Sequence, residues 1–272
     1  MQPGTHRFHI ITGKGGVGKT TLAKAFVRLL ISQGEEAVYV TFKNSAMSDV
    51  ASAGSDEKKD GIREIALDLE ESARGYIEKR LNSKMIAGWI VKTAFFRALV
   101  NMMPGFSYLI YLGRILEMGK DNPRLIVVLD APASGHALTM VESTGNFQQI
   151  FESGVVFEDT VKMLGKLNDP EYTKIHIVSL PSLMSWQEAM ELRSGLRSMT
   201  PVPVDITLNN YLYPLLEGDL AGLPPVLRDK VLNEKKLLDE NAPDVQCILP
   251  HSLGHSPSEI EADLVGSLGK LR

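Results

Sequence analysis

The amino-acid sequence predicts a doubly wound, mostly parallel α/β fold. Short apolar segments rich in β-branched residues alternate with segments of helical periodicity along most of the 272-residue chain. The first elements are a strand, a glycine-rich loop, a helix and a second strand, and this βαβ order favours parallel pairing of the two strands. A chain of this length can bury one large core between such layers.

The predicted elements follow this alternation in order. Residues 8–12 form the first strand, residues 20–33 the first helix, and residues 37–42 the second strand. Further strands are predicted at 125–129, 175–179, 204–208 and 245–249, and they are separated by helical segments such as 185–199 and 225–240. The whole chain, 1–272, is therefore predicted to be a single domain.

Residues from about 55 to 120 interrupt this alternation, and they are predicted to form a helical insertion after the second strand. A helix is expected to begin near Asp68, which is followed by Leu69, Glu70 and Glu71. Residues 85–112 concentrate methionine and aromatic side chains. These side chains suit an apolar groove for varied partners and equally suit the core of the insertion itself, so both interpretations stay open.

The composition excludes several classes of protein. The formal net charge of −4 provides no generic basic surface, so no nucleic-acid partner is expected. Cys247 is the only cysteine, which excludes an internal disulfide and a cysteine-based metal site. The most apolar stretch, residues 85–116, has no uncharged window of about twenty residues, and no apolar signal segment precedes the first strand. We therefore expect a soluble protein of the cytoplasm.

The segment 13–21 reads GKGGVGKTT and has the pattern of a phosphate-binding loop, or P-loop. Its glycines let backbone N–H groups approach phosphate oxygens, and the following helix presents its positive N-terminus to the same anion. Lys19 can reach the β- and γ-phosphates, and the Thr20 hydroxyl can bind Mg²⁺. The predicted nucleotide-binding residues of the loop are Gly13, Lys14, Gly15, Gly16, Val17, Gly18, Lys19, Thr20 and Thr21, and the predicted ligand is ATP with Mg²⁺.

A second motif begins at Asp130, directly after the apolar strand at 125–129, and reads DAPASGH. An aspartate at the carboxyl end of a buried parallel strand can hold the magnesium ion of a P-loop protein, usually through water. The alternative is an aspartate that caps a helix or a turn. We predict Thr20 and Asp130 as the metal-binding residues.

The loop KGGVGKTT together with DAPASGH resembles the family of arsenical-pump ATPases and of ATPases that escort tail-anchored membrane proteins. The resemblance implies that Lys14 reaches the phosphates of the nucleotide in a facing subunit, so that Lys14, Lys19 and Asp130 act in catalysis. It also implies a nucleotide-sensing switch at Pro132, Gly135 and His136. Asn209 and Pro250 match the residues that the family places beside the adenine.

The same resemblance implies a homodimer that opens and closes with the ATP cycle. In the targeting members, the helical insertion holds a client's transmembrane helix, which predicts a hydrophobic peptide or membrane-protein segment as partner. Two family features lack their residues here, since an arsenite site needs several cysteines and the zinc-bridged dimer needs a C-x-x-C pair. No arsenite or zinc site is therefore expected.

The sequence departs from this family at the first switch, where an aspartate of the pattern S-T-D-P-A-H-S positions the attacking water. Residues 41–49 read TFKNSAMSD, and an ungapped count from Lys19 places Lys43 at the aspartate position, while a one-residue shift places Phe42 there. Asp49 is the first carboxylate in the segment. A lysine cannot orient water as a carboxylate does. Binding of Mg-ATP is therefore predicted, while the rate of hydrolysis stays open.

Two functional hypotheses follow. The first is a dimeric ATPase that acts as a nucleotide-gated carrier or chaperone for a hydrophobic client. The alternative is a scaffold that hydrolyses ATP weakly or not at all and pairs with an intact paralogue. A metabolic P-loop ligase is less favoured because it does not explain the insertion, and an iron–sulfur reductase lacks its cysteines.

Overall fold

A computed structural model describes residues 6–43, 56–59, 61–103, 105–133, 135, 137–142, 155–213, 220 and 222–270. Its strands are β1 (Phe8–Gly13), β2 (Ala37–Phe42), β3 (Asp56–Lys59), β4 (Ile62–Leu67), β5 (Ile126–Ala133), β6 (Thr173–Ser179), β7 (Val204–Tyr211) and β8 (Cys247–Pro250). They form one sheet in the order β3-β4-β2-β5-β1-β6-β7-β8. All neighbours pair in parallel except β3 and β4, which are antiparallel. The predicted doubly wound, mostly parallel fold is confirmed.

Helices cover both faces of the sheet. They are α1 (Lys19–Ser32), α2 (Leu69–Leu81), α3 (Lys84–Val91), α4 (Ala94–Met102), α5 (Phe106–Asp121), α6 (Val155–Leu167), α7 (Leu183–Met199), α8 (Pro225–Asn241) and α9 (Pro257–Lys270). On one face α1 and α9 bury Phe26 and Leu268, and on the other face α5 and α7 bury Leu112 and Trp186. Alternate side chains of each central strand enter the two cores, as in β1, where Ile10 and Ile11 face opposite layers.

The prediction of helix throughout residues 55–120 is wrong for its first part, because β3 and β4 occupy 56–59 and 62–67. The strand β4 pairs in parallel with β2, and its Ile62 and Leu67 are buried. The buried Glu64 interrupts the apolar alternation that identifies a strand in sequence, and it is accommodated by an ion pair with Lys24. The helices α2 to α5 begin only after this strand.

Residues 85–112 contribute to a core and also to the surface. Val91 and Phe96 pack with Ala73 in a small core of the insertion, and Leu112 belongs to the main core. Other apolar side chains of α3 and α4, such as Trp89, are exposed. No single helix among the described residues is long and apolar enough to span a membrane. Taken together, α3 and α4 have the length and apolar composition of a broken span, and their axes are bent by 57°.

Candidate nucleotide-binding site

The P-loop connects β1 to α1 at the carboxyl end of β1, which is a central strand between β5 and β6. Gly13, Gly16 and Gly18 all have positive φ, at 143°, 81° and 92°. A Cβ atom on Gly13 would collide with the backbone carbonyl of Val178 in the neighbouring strand β6. These positions therefore require glycine, and the loop backbone is free of side chains where a phosphate would approach.

The first turn of α1 is available to an anion. Its N-cap is Gly18, no side chain caps its N–H groups, and the first turn contains no acidic residue. Lys19 starts the helix and folds back across the loop, where its Nζ donates to the carbonyl oxygen of Lys14 at 2.9 Å. Partial burial lowers the pKa of Lys19, and the nearby Asp130 opposes this shift. A cation and a row of helix N–H groups thus converge on one point.

Asp130 lies near the end of β5 and receives two hydrogen bonds on one oxygen. Thr20 Oγ1 donates to Asp130 Oδ2 at 2.6 Å, and the hydroxyl of Tyr39 donates to the same atom at 2.8 Å. Burial raises the pKa of the Asp130 carboxyl, while the two hydrogen bonds act to lower it. Burial and the charge of Asp130 raise the pKa of Tyr39. The Thr20 hydroxyl and the Asp130 carboxylate form a compact oxygen pair of the kind that Mg²⁺ prefers.

Tyr39 did not emerge from the sequence as a site residue. The one available signal was a tyrosine inside a buried strand, because a buried hydroxyl requires a hydrogen-bond partner. The side chain is 4% exposed and lies in β2, which is next to β5 in the sheet. Tyr39 therefore fixes the position of the Asp130 carboxylate from the side opposite the P-loop strand.

Lys14 points along the protein's own surface in this structure. Its Nζ lies 2.6 Å from Glu188 Oε1 of α7, and the two side chains are 46% and 37% exposed. An exposed pair of this kind stabilises by only about 0–1 kcal/mol, so Lys14 can exchange Glu188 for another anion at low cost. The predicted contact of Lys14 with a facing subunit stays a prediction.

The two predicted adenine-side residues occupy different environments. Asn209 is buried, and its Nδ2 donates to the carbonyl oxygen of Val17 at 2.9 Å, so it supports the P-loop from beneath. The next residue, Asn210, has φ 62° and lines a depression of about 1080 Å³ together with Leu180 and His251. Pro250 ends β8 directly beside that depression. The position next to Asn209 is therefore the one that faces open space.

The first-switch residue Lys43 follows β2, and its backbone N–H donates to the carbonyl of Leu67 at 3.0 Å. Its Nζ lies 3.6 Å from Asp68 Oδ2. Asp68 comes directly after β4 and caps α2, because its Oδ1 accepts from the N–H of Glu71 at 3.0 Å. Sequence reasoning did not identify this partner, since the strand that carries it was itself missed.

Of the residues predicted to form the second switch, the structure describes Pro132 and Gly135. Pro132 accepts a hydrogen bond from Thr12 Oγ1 on its carbonyl oxygen at 3.2 Å, and Gly135 accepts one from Thr139 Oγ1 at 3.1 Å. Asp49 and His136 lie outside the described residues. The structure thus brings together the P-loop, Asp130 and Asn209, and it pairs Lys43 with Asp68 at the start of α2. This arrangement can bind a phosphate chain together with a divalent cation.

Comparison with known proteins gives a consistent result. The sequence model of the anion-transporting ATPases matches residues 6–164, which include the P-loop and Asp130. The ATPase BagA of Mycobacterium tuberculosis is 25% identical over 233 residues, or 79% of this chain and 68% of that protein. An arsenical pump-driving ATPase of Escherichia coli is 28% identical over 225 residues, or 76% of this chain and 35% of that protein. A putative arsenical pump-driving ATPase of Halobacterium salinarum is 22% identical over 237 residues, or 79% of this chain and 37% of that protein.

Proposed function

Because the chain belongs to the anion-transporting ATPase family, whose members bind ATP, we propose that it is a Mg-ATP-dependent dimer that carries or chaperones a hydrophobic client. The observation that carries the nucleotide half is the convergence of Lys19, Thr20 and Asp130 at the first turn of α1. The client half is supported by exposed apolar side chains on α3 and α4. The proposed client is a membrane-protein segment, and the proposed compartment is the cytoplasm, which supplies ATP.

In this proposal the chain's own residues hold and orient the nucleotide. Loop N–H groups and the α1 N-terminus bind the phosphate oxygens, and Lys19 turns from the Lys14 carbonyl to the terminal phosphates. The Thr20 hydroxyl and the Asp130 carboxylate would hold Mg²⁺, which would supply neutralisation of the phosphate charge. Tyr39 keeps the carboxylate in place. Lys14 leaves Glu188 to contact the nucleotide of the facing subunit.

A second candidate function has its own supporting observation. Lys43 occupies the position of the family's water-orienting aspartate and pairs with Asp68 at 3.6 Å. A chain without a carboxylate there binds ATP but hydrolyses it slowly, and it would serve as a nucleotide-dependent scaffold beside an intact paralogue.

Steady-state Mg-ATP turnover tests the two functions, with Lys19→Ala and Lys14→Ala variants measured alongside. For the carrier we expect turnover in the wild type, loss of ATP binding in Lys19→Ala, and loss of turnover with retained binding in Lys14→Ala. Sedimentation with and without ATP gives the oligomeric state. Wild-type protein that binds ATP without turnover and stays monomeric until a paralogue is added contradicts the carrier and supports the scaffold.

A further inference from the structure

Large apolar side chains are exposed on both α3 and α4. Met85, Trp89, Phe95 and Met102 are 83%, 70%, 72% and 79% exposed, and we call these four side chains the apolar face. Met85 and Trp89 are one helical turn apart, and Phe95 and Met102 are two turns apart, so each pair shares one side of its helix. The other sides of α3 and α4 pack on the small core through Val91 and Phe96. A cluster of this kind marks an interaction surface.

The charged residues that α3, α4 and the turn between them contribute are all basic. Lys84, Lys92 and Arg97 lie in α3 and α4 or between them, and no acidic residue occurs from residue 84 to residue 116 of a chain whose net charge is −4. Lys84 is 87% exposed and lies 3.8 Å from Glu78. Within the described residues, Lys92 and Arg97 form no ion pair. A basic segment on an acidic protein complements a negatively charged partner.

The concave part of this surface is polar. A depression of about 870 Å³ beside α3 is lined by charged side chains of both signs and by Met85 and Trp89. The acidic ones are Asp68, Glu70 and Glu71, and the basic ones are Arg74, Lys84 and Lys92. A deep site for an apolar helix needs an apolar lining, and this depression does not provide one. Exposed apolar side chains with cations beside them instead suit the boundary between lipid headgroups and acyl chains.

We propose that the apolar face docks on the surface of an anionic lipid membrane. Trp89 and Phe95 enter the headgroup–acyl boundary, and Lys84, Lys92 and Arg97 contact lipid phosphates. The helices α3 and α4 have 8 and 9 residues, and at about 1.5 Å per residue neither reaches across a hydrocarbon core of about 30 Å. They therefore lie in the interface, with Met85 and Met102 as further apolar contacts.

Docking goes beyond the proposed function, because it requires neither ATP turnover nor a client. A client segment and the lipid surface would use the same side chains in turn. Their separate effects are therefore measured with vesicles in one experiment and with a soluble apolar helical peptide in another.

The chain carries its own reporter for this test. It has two tryptophans, and Trp186 is 5% exposed while Trp89 is in the apolar face, so Trp186→Phe leaves Trp89 as the sole emitter. With vesicles of phosphatidylcholine and phosphatidylserine, we expect Trp89 emission to shift to the blue and brominated acyl chains to quench it. Vesicles of phosphatidylcholine alone should bind at least about tenfold more weakly. Flotation of unmodified protein with the same vesicles gives a second readout.

Matched variants separate the apolar face from general surface effects. Each cation near the membrane is worth about fivefold in affinity, so Lys92→Gln/Arg97→Gln should weaken binding about 25-fold. Phe95→Ser should also weaken binding, whereas Val226→Ser, at a position 83% exposed on α8, and Lys236→Gln should not. Equal binding to both vesicle types, or equal losses in the control variants, overturns the proposal. Capture of the apolar peptide without vesicle binding overturns docking but leaves the proposed function standing.

Discussion

At the scale of single residues, neighbouring asparagines at the end of β7 have different roles. Asn209 is 5% exposed and binds the Val17 carbonyl of the P-loop, and its amide nitrogen occupies the space that a Cβ on Gly18 would need. Asn210 adopts the left-handed backbone region that asparagine and glycine tolerate, and it lines the open depression. The structure thus assigns loop support to the first and places the second on the lining of the open depression.

We expect Asn209→Ala to destabilise the fold by about 1–3 kcal/mol, because it leaves a buried carbonyl without its donor. Asn210→Gly keeps the left-handed backbone and should weaken ATP binding with a smaller change in stability. Denaturant titration and fluorescent-nucleotide titration of both variants measure the two effects. Unchanged stability in Asn209→Ala, with ATP binding lost, would instead place Asn209 on the nucleotide.

Asp130 carries the second residue-scale prediction. We expect Asp130→Asn to reduce the gain in ATP affinity that Mg²⁺ provides by about 10- to 100-fold, since the amide holds the hydrated ion less well. Tyr39→Phe keeps the carboxylate and removes one of its two donors, so its effect should be smaller and in the same direction. Nucleotide titration with Mg²⁺ and with EDTA makes the comparison. An Asp130→Asn protein with the full Mg²⁺ effect contradicts a metal-holding role.

At the scale of elements, β4 is attached to α1 by the ion pair of Lys24 and Glu64. The atoms Nζ and Oε1 are 2.7 Å apart, and the side chains are 19% and 10% exposed. Lys24 also lies over the ring of Tyr39, at 5.1 Å from its centroid. The pair therefore joins the first helix to the strand that the insertion adds to the sheet.

Breaking this pair should be costly because Glu64 would stay buried without its cation. We expect Lys24→Met to lower the free energy of unfolding by about 3 kcal/mol at neutral pH, and Lys24→Met/Glu64→Leu to recover most of the loss. Denaturant titration measures both. The exposed pair Lys236–Glu240 is the matched control, and Lys236→Met should cost less than about 0.5 kcal/mol. Equal losses in the two lysine variants would contradict a buried role for Glu64.

Elements that carry a strong local signal were predictable from the sequence. The strand β2 was predicted with its observed bounds, because AVYVTF is a short, nearly continuous apolar run and Gly34 ends the helix before it. The strands β3 and β4 were missed because Arg63 and Glu64 are satisfied by partners distant in sequence or across the hairpin. The P-loop and Asp130 were predicted by motif. The contacts of Tyr39 with Asp130, of Asp68 with Lys43 and of Glu188 with Lys14 were not predicted, because only the tertiary fold brings these residues together.

At the scale of the whole molecule, the central strands bury a pair of histidines. His9 Nδ1 on β1 and His176 Nε2 on β6 are 3.0 Å apart, and both rings pack against Phe26 of α1. Burial lowers the pKa of His9 to about 3 and the pKa of His176 well below its ordinary value, and the positive charge of Lys174 adds to both shifts. Both rings are therefore neutral in the folded protein, and one of them donates the shared proton.

This pair makes folding stability depend on pH in a defined direction. In the unfolded chain the histidines bind protons below about pH 6.5, whereas in the fold they stay neutral down to much lower pH, so acid favours the unfolded state. The contribution of the two histidines to the free energy of unfolding is complete above pH 6.5 and declines as the pH falls toward 3. For two histidines, the free energy of unfolding falls by about 4 kcal/mol between pH 7 and pH 5. The ordinary pKa values of carboxyl groups, about 4, lie below the interval from pH 7 to pH 5.

Denaturant titration at pH 7 and pH 5 tests the assignment to this pair. We expect His9→Leu/His176→Leu to remove most of the pH-dependent loss, because replacing both partners leaves no unpaired polar group in the core. His255→Gln is the matched control, since His255 is exposed and should leave the wild-type dependence unchanged. If the double variant loses as much stability as the wild type between the two pH values, other groups carry the acid sensitivity and the histidines are protonated within the fold.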